Sequence, residues 1–143
     1  MSATPDPVEL KGFNAQIVDE FRANGGKVGG PFEGADLLLL TTTGAKTGLR
    51  RTSPLAYQRV DGKLLIIGSY RGADIHPAWV HNLRANPQAR IEVGTESYDV
   101  AARELPREER DPVWAKIVSV APGFGEYQEH TSRVIPLFEL TRA

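Results

Sequence analysis

Apolar residues fall along this chain in blocks whose spacing changes from one segment to the next. Between residues 8 and 24, Val8, Phe13, Ile17, Val18 and Phe21 recur at mostly three- and four-residue intervals, which predicts an amphipathic helix ended by Gly25-Gly26. A glycine-rich loop runs on to Gly34. The run from Asp36 to Thr43 is apolar and β-branched and is bounded by Gly34 and Gly44, a length that suits a buried strand. Thr52 to Val60 and Lys63 to Tyr70 then form two β-prone runs around Asp61-Gly62, a pair that accepts the positive φ angles of a tight hairpin turn. Pro54 lies near the start of the first run, where a missing N–H is tolerated at a strand's first residues or on an edge.

Beyond Asp74 the pattern is helical again. Pro77 fits a first helical position, Trp79, Val80 and Leu83 share a broad apolar face, and Pro87 ends the helix at or before Asn86. Ala89 to Val93 and Ser97 to Leu105 alternate with period two around Gly94-Thr95-Glu96, which predicts a second hairpin. A helix follows from Arg107 to Val120, with Val113, Trp114, Ile117 and Val118 inward and Pro122-Gly123 as its stop. Phe124 to Ser132 reads as a short turn of helix, and Arg133 to Thr141 as a last strand with apolar residues on both faces. Six mostly antiparallel strands at this size are best kept from exposing edges by closing into a small barrel with helices outside, an α+β fold. The expected organisation is one domain over residues 1–143, with an N-terminal helix and loop over 1–35 and the barrel over 36–143.

Composition narrows the function more than the fold. A chain of 143 residues that is 41% hydrophobic and 24% charged is an ordinary globular composition, and the Leu37–Leu40 run falls far short of a membrane-spanning helix. Cysteine is absent, which removes disulfides, thiolate nucleophiles and cysteine-ligated metals. No basic-then-apolar leader is present, so cytoplasm is the expected location. Lys11, Arg22 and Lys27 are offset by Glu9, Asp19 and Glu20 on the first helix, so at most peripheral contact with the inner membrane is expected. The net charge of -1 argues against nucleic acid as a partner. Its distribution is uneven: between Gly44 and Arg71, Lys46, Arg50, Arg51, Arg59, Lys63 and Arg71 face only Asp61, whereas the rest of the chain is net acidic. Such a stretch selects a small polyanionic ligand, or is simply the solvated face of two strands.

The loop Thr43 to Arg51 combines two glycines, hydroxyls and the cations Lys46, Arg50 and Arg51, the materials of an anion site. It matches neither the Walker nor the dinucleotide glycine pattern, and a plain basic hairpin loop is the other reading. Gly68-Ser69-Tyr70-Arg71-Gly72 ends a strand just before a helix start, where N–H groups and the helix dipole suit a polar ring edge or an anion. Trp79 and Asn82 offer a stacking face and an amide, although the spacing of Trp79 to Leu83 equally places the indole in the core. His76 and His81 are wrongly spaced for a helical metal pair, and Ser53 or Ser69 with a histidine and Asp74 lacks a nucleophile elbow, so neither a metal nor nucleophilic catalysis is expected. Glu108, Glu109 and Asp111 stand at a helix start, where the dipole favours them.

The run Thr42-Thr-Gly-Ala-Lys-Thr-Gly-Leu-Arg-Arg-Thr-Ser-Pro-Leu, with Asp61-Gly62-Lys63, Gly68-Ser69, His76-Pro77-Ala78-Trp79-Val80-His81-Asn82-Leu83, Ala85-Asn86-Pro87, Tyr127-Gln128 and Arg133-Val134-Ile135-Pro136, resembles the deazaflavin-dependent nitroreductase family. The likeness extends from about Asp36 to Leu140. It implies a split β-barrel of the flavin-reductase-like class that binds the 8-hydroxy-5-deazaflavin coenzyme F420 in preference to FMN. Hydride transfer to a quinone, an activated alkene or a nitroaromatic is the implied chemistry, with the cofactor carrying the reaction and the protein orienting it.

By the same resemblance, Ala45, Lys46 and Thr47, with Arg50 and the run Arg51, Thr52, Ser53, Pro54, Leu55 and Ala56, hold the phosphate and poly-glutamate tail. Ile67, Gly68, Ser69, Tyr70 and Arg71, together with Ala78, Trp79, Val80, His81 and Asn82, line the tricyclic ring, with Phe124 nearby. Phe124 stands where relatives often carry a tyrosine and cannot donate a proton, which counts against nitro reduction and leaves Ser69 and Tyr127 as the catalytic candidates. Tyr70 replaces a lysine of some relatives, and Arg71 beside it supplies a cation. A quinone is the first expected acceptor, since its carbonyl needs only modest polarisation. A non-enzymatic carrier of a deazaflavin, flavin or haem is the alternative, and the oligomeric state, monomer or homodimer, is left open.

Overall fold

The computed structural model describes residues 7–27, 37–69 and 73–143, and the side chains of the first helix from residue 15 onward. Its elements are α1 (Pro7–Ala23), β1 (Leu37–Thr43), β2 (Arg50–Val60), β3 (Lys63–Ile67), α2 (Ala78–Ala85), β4 (Gln88–Val93), β5 (Glu96–Glu104), α3 (Arg107–Val120), α4 (Gly123–Glu129) and β6 (Leu137–Arg142). The strands close in the order β1-β2-β3-β6-β5-β4, every neighbouring pair antiparallel. This is the six-stranded barrel with flanking helices that the sequence predicts. The glycine-rich loop to Gly34, together with Tyr70 and Arg71, lies outside the described residues.

Closure explains why two strands are apolar without interruption. In β1, Leu38 and Leu40 point into the barrel, while Leu37 and Leu39 pack outward beneath Ile17 and Phe21 of α1. In β3, Leu64 and Ile66 point inward, while Leu65 and Ile67 face Ile117 of α3 with Val113, Trp114, Phe124 and Tyr127 around them. Each of these strands is covered on both faces, so alternation disappears. One end of the barrel is plugged by α2, whose Trp79, Val80 and Leu83 join the interior cluster, and the Trp79 ring meets Phe138 edge to face at 5.6 Å.

The turns follow their chemistry. Asp61 at φ 52° and Gly62 at φ 80° make the β2–β3 hairpin, in the positive-φ geometry that suits strand twist. The β4–β5 turn is tighter than predicted, with Val93 opposite Glu96, so only Gly94-Thr95 lie between the strands. β2 begins at Arg50, two residues early, and Pro54 sits within it opposite Leu39. The proline is tolerated because β2 pairs with β3 only from Tyr57 to Val60, leaving residues 50–56 paired on the β1 side alone. β3 ends at Ile67 rather than Tyr70, and β6 starts at Leu137 rather than Arg133.

Gly68 is the point where β3, β6 and α2 converge. Its N–H donates to the Pro136 carbonyl at 2.9 Å, and a Cβ there would lie 2.8 Å from Pro136 Cγ and 3.0 Å from Val80 Cγ2. Both neighbours are buried, so neither has room to retreat. Gly68→Ala is therefore expected to lower stability by about 1–3 kcal/mol in denaturant unfolding, as overpacking does. Unchanged stability would show that the α2 plug is loosely seated.

Candidate functional site

The basic loop between β1 and β2 is held from inside and from below. Gly44 N–H donates to the Leu49 carbonyl at 2.7 Å, Gly48 N–H to the Gly44 carbonyl at 2.9 Å, and Leu49 N–H to Thr47 Oγ1 at 3.2 Å. Gly48 has φ 71°, a conformation that favours glycine. From below, Asn82 of α2 accepts the Ala45 N–H at Oδ1 (2.9 Å) and donates from Nδ2 to Thr42 Oγ1 (3.0 Å). Most of the loop's amides are thus engaged within the protein, which corrects the expectation of a backbone anion nest. The groups left exposed on the loop are its cationic side chains.

Their ionic surroundings differ from those of the other cations. Arg22, Arg84, Arg90, Arg103, Arg107, Arg110, Lys116 and Arg142 each lie within ion-pair distance of a carboxylate. Lys46, Arg50 and Arg51 are exposed and have no such partner among the described residues. The basic stretch is not one patch, however. Arg59 and Lys63 lie at the far end of the same hairpin, where with Tyr98, Glu139 and Arg142 they line a separate groove of about 300 Å³ at the opposite barrel mouth.

The run Arg51 to Ala56 is not one surface either. Strand alternation puts Arg51, Ser53 and Leu55 on the barrel's inner side, opposite Thr42, Leu40 and Leu38, and Leu55 packs on the interior cluster. Thr52, Pro54 and Ala56 face the other way: the Thr52 hydroxyl hydrogen-bonds that of Thr41 at 2.8 Å, and Ala56 packs on the cluster beneath α1. A ligand lying along the unpaired edge of β2 meets side chains that grade from cationic at Arg51, through the Ser53 hydroxyl, to apolar at Leu55.

The second half of the site is the end of β3. Ser69 is half-buried, and its carbonyl accepts from Arg133 Nη2 at 2.7 Å. Arg133 also donates to His76 Nδ1 at 3.0 Å, and His76 meets His81 edge to face with ring centroids 5.8 Å apart. Burial first, and then the Arg133 charge, hold the His76 imidazole below its ordinary pKa, which keeps Nδ1 free to accept. Ala78 and His81 are exposed on α2. Trp79 is 6% exposed and Val80 0%, so the indole is core, the second of the two sequence readings, and offers no open stacking face.

Helix α2 joins the two halves, because Asn82 holds the basic loop while Val80 packs on Gly68. Phe124 and Tyr127 stand elsewhere, ring centroids 6.1 Å apart, against the outer face of β3 beside Ile67. Sequence reasoning assigned no role to Arg133 or Gln128, although both lie in the motifs that carry the resemblance, and it missed Arg110 entirely. Arg110 is 6% exposed, lies over the Trp114 ring at 4.4 Å and donates to the Ile135 carbonyl and Gln128 Oε1. Its position after two exposed acids in a helix gave no signal of burial.

Asn82→Ala would leave the Ala45 N–H and the buried Thr42 hydroxyl without partners. A stability loss of about 1–3 kcal/mol is expected. The specific sign is faster amide hydrogen exchange at Ala45 relative to β3; unchanged exchange there would mean that the loop holds itself.

The sequence model of the F420H2-dependent quinone reductase family matches residues 14–142. A Mycobacterium tuberculosis protein named F420H2-dependent quinone reductase is 40% identical, the match covering 85% of each chain, and a Mycobacterium bovis protein named as a putative member is equally similar. Among solved structures, an F420H2-dependent reductase designated FDR-A aligns with TM-score 0.65 and 39% identity over 74% of this chain and 94% of that one. A domain-swapped dimer aligns with TM-score 0.67 and 33% identity over 95% of this chain and 100% of that one. A haem-binding protein of Mycobacterium smegmatis, at 18% identity and TM-score 0.55 over 76% of this chain and 46% of that one, shares the fold alone. The chain belongs to the F420H2-dependent quinone reductase family.

Proposed function

We propose that this protein is an F420H2-dependent reductase whose acceptor is a small quinone, with coenzyme F420 seated along the unpaired edge of β2. The observation that carries this reading is the set of three cations without an ion-pair partner among the described residues, Lys46, Arg50 and Arg51, at the polar end of a strand whose inner face becomes apolar toward the barrel interior. A coenzyme with an anionic phosphodiester and poly-glutamate tail on a flat ring matches that gradient. FMN, with a single phosphate, matches it less well.

When bound, the coenzyme supplies a hydride. The protein's part is to bind and orient. Lys46, Arg50 and Arg51 neutralise the tail, and Asn82 keeps the loop bearing Lys46 in place. Ser69, at the end of β3 beside α2, is the better placed of the two catalytic candidates to donate a hydrogen bond at the ring or acceptor. Tyr127 packs against the outer cluster with Phe124, and we assign it a supporting position under β3. A quinone is preferred over a nitroaromatic because the family model and the 40% identical Mycobacterium tuberculosis relative are both named for quinone reduction. Activated alkenes are a further acceptor class that the same hydride serves.

Replacing Lys46 and Arg51 together by alanine is expected to weaken coenzyme binding about 10- to 100-fold, the loss of one or two charge-assisted contacts. The melting temperature should hardly move, because neither side chain has an ion-pair partner among the described residues. Titration with oxidised coenzyme against FMN, followed by reduced coenzyme and menadione, measures binding and turnover together. Affinity intact with stability reduced would make the loop a structural hairpin, and tight binding without turnover would make the protein a carrier.

A further inference from the structure

We infer that Arg133 is a positioning residue for the coenzyme ring, acting through the backbone at the end of β3; this rests on the function proposed above. Antiparallel pairing of β3 with β6 brings Gly68 opposite Pro136. The Gly68 N–H donates to the Pro136 carbonyl at 2.9 Å, but proline has no N–H to return the bond. The ladder therefore fails where the chain leaves the strand, and the Gly68 carbonyl loses its donor.

One guanidinium replaces it and reaches the carbonyls beyond. Arg133 Nη1 donates to the Gly68 carbonyl at 3.0 Å, Nη2 to the Ser69 carbonyl at 2.7 Å and Nε to the Ala73 carbonyl at 2.7 Å, while Nη1 also reaches His76 Nδ1. A single rigid fork thus fixes the chain at Gly68, Ser69 and Ala73. Its bonds go to carbonyls rather than to a carboxylate, so it spends its donors on shaping backbone.

Arg133 is itself anchored. Its carbonyl accepts from Gln128 Nε2 at 2.6 Å, and Gln128 Oε1 accepts both the Ile135 N–H and Arg110 Nη2 at 3.0 Å. Arg110 Nε completes the chain by donating to the Ile135 carbonyl at 3.1 Å. A network that begins on α3 and α4 therefore ends on the carbonyl of Ser69. Lysine in place of Arg133 supplies donors from one point and cannot span three carbonyls in a plane.

The test separates ring from tail with two ligands: the complete coenzyme, and the 8-hydroxy-5-deazariboflavin fragment that lacks the phosphodiester and glutamates. Arg133→Lys and Arg133→Ala are expected to weaken both ligands by the same factor, about tenfold for alanine and less for lysine, since hydrogen bonds to a charged group are being lost or reshaped. Lys46→Ala with Arg51→Ala should weaken the coenzyme and leave the fragment unchanged. KM for menadione should stay constant in Arg133→Lys while kcat falls. Lower melting temperature with fragment affinity and kcat intact would overturn the inference and leave Arg133 a structural cross-link. Arg133→Lys decides the matter if Arg133→Ala does not fold. If the wild-type protein binds neither ligand, the proposed function falls first and takes this inference with it.

Discussion

A six-stranded barrel closed by hydrogen bonds has no free sheet edge around most of its girth, but it has ends that must be filled. At one end this protein uses a single short helix, and the rest of the site depends on how that plug is seated. Trp79, Val80 and Leu83 fill the interior, which fixes the helix axis against β1, β3 and β6. With its position set by packing, the polar side of the same helix is available to hold loops: Asn82 holds the β1–β2 loop, and Val80 leaves Gly68 no room for a side chain. Burial supplies the rigidity, and the hydrogen bonds direct it toward function.

Charge follows the same division. Most of the arginines on the barrel and helices are satisfied by nearby acids, as in the forked contacts of Arg22 with Glu92 and Arg84 with Glu104. Exposed pairs of this kind contribute little to stability, but they cancel the local field. Among the described residues Lys46, Arg50 and Arg51 of the β1–β2 loop and the start of β2 lack that cancellation, as do Arg59 and Lys63 at the opposite mouth, so one of the molecule's concentrations of uncompensated charge lies beside α2. In the proposed binding mode a tail of several negative charges would be drawn to that end of the strand, with the apolar inner face beyond Ser53 toward the ring.

Much of this architecture was legible in the sequence where local chemistry decides. Asp61-Gly62 dictated its turn, and the apolar run Leu37–Leu40 signalled a buried strand, whereas the coverage of Leu64–Ile67 on both faces is seen only in the fold. What stayed hidden depends on partners far apart in the chain. Arg133 meets Gly68 and Ser69 across more than sixty residues, and no local pattern announces a guanidinium that replaces a missing proline N–H. Arg110 looked like a solvated helix charge and is buried. The start of β6 was misjudged because Arg133 to Pro136 are as apolar and extended as a strand but serve as the anchor of that network. At the candidate site, residue chemistry marked the cations, while the ligand proposed for them came from the resemblance of several motifs in order.

The central claim is that unpaired cations beside α2 hold an anionic tail while the β3 end holds the ring. Its most direct test is the ionic-strength dependence of binding by the unmodified protein, because exposed charges are screened over about 8–10 Å near physiological salt. Affinity for the complete coenzyme should fall severalfold between low salt and about 0.5 M salt, while affinity for the deazariboflavin fragment stays level. Equal salt dependence for both ligands, or none for either, would contradict the account.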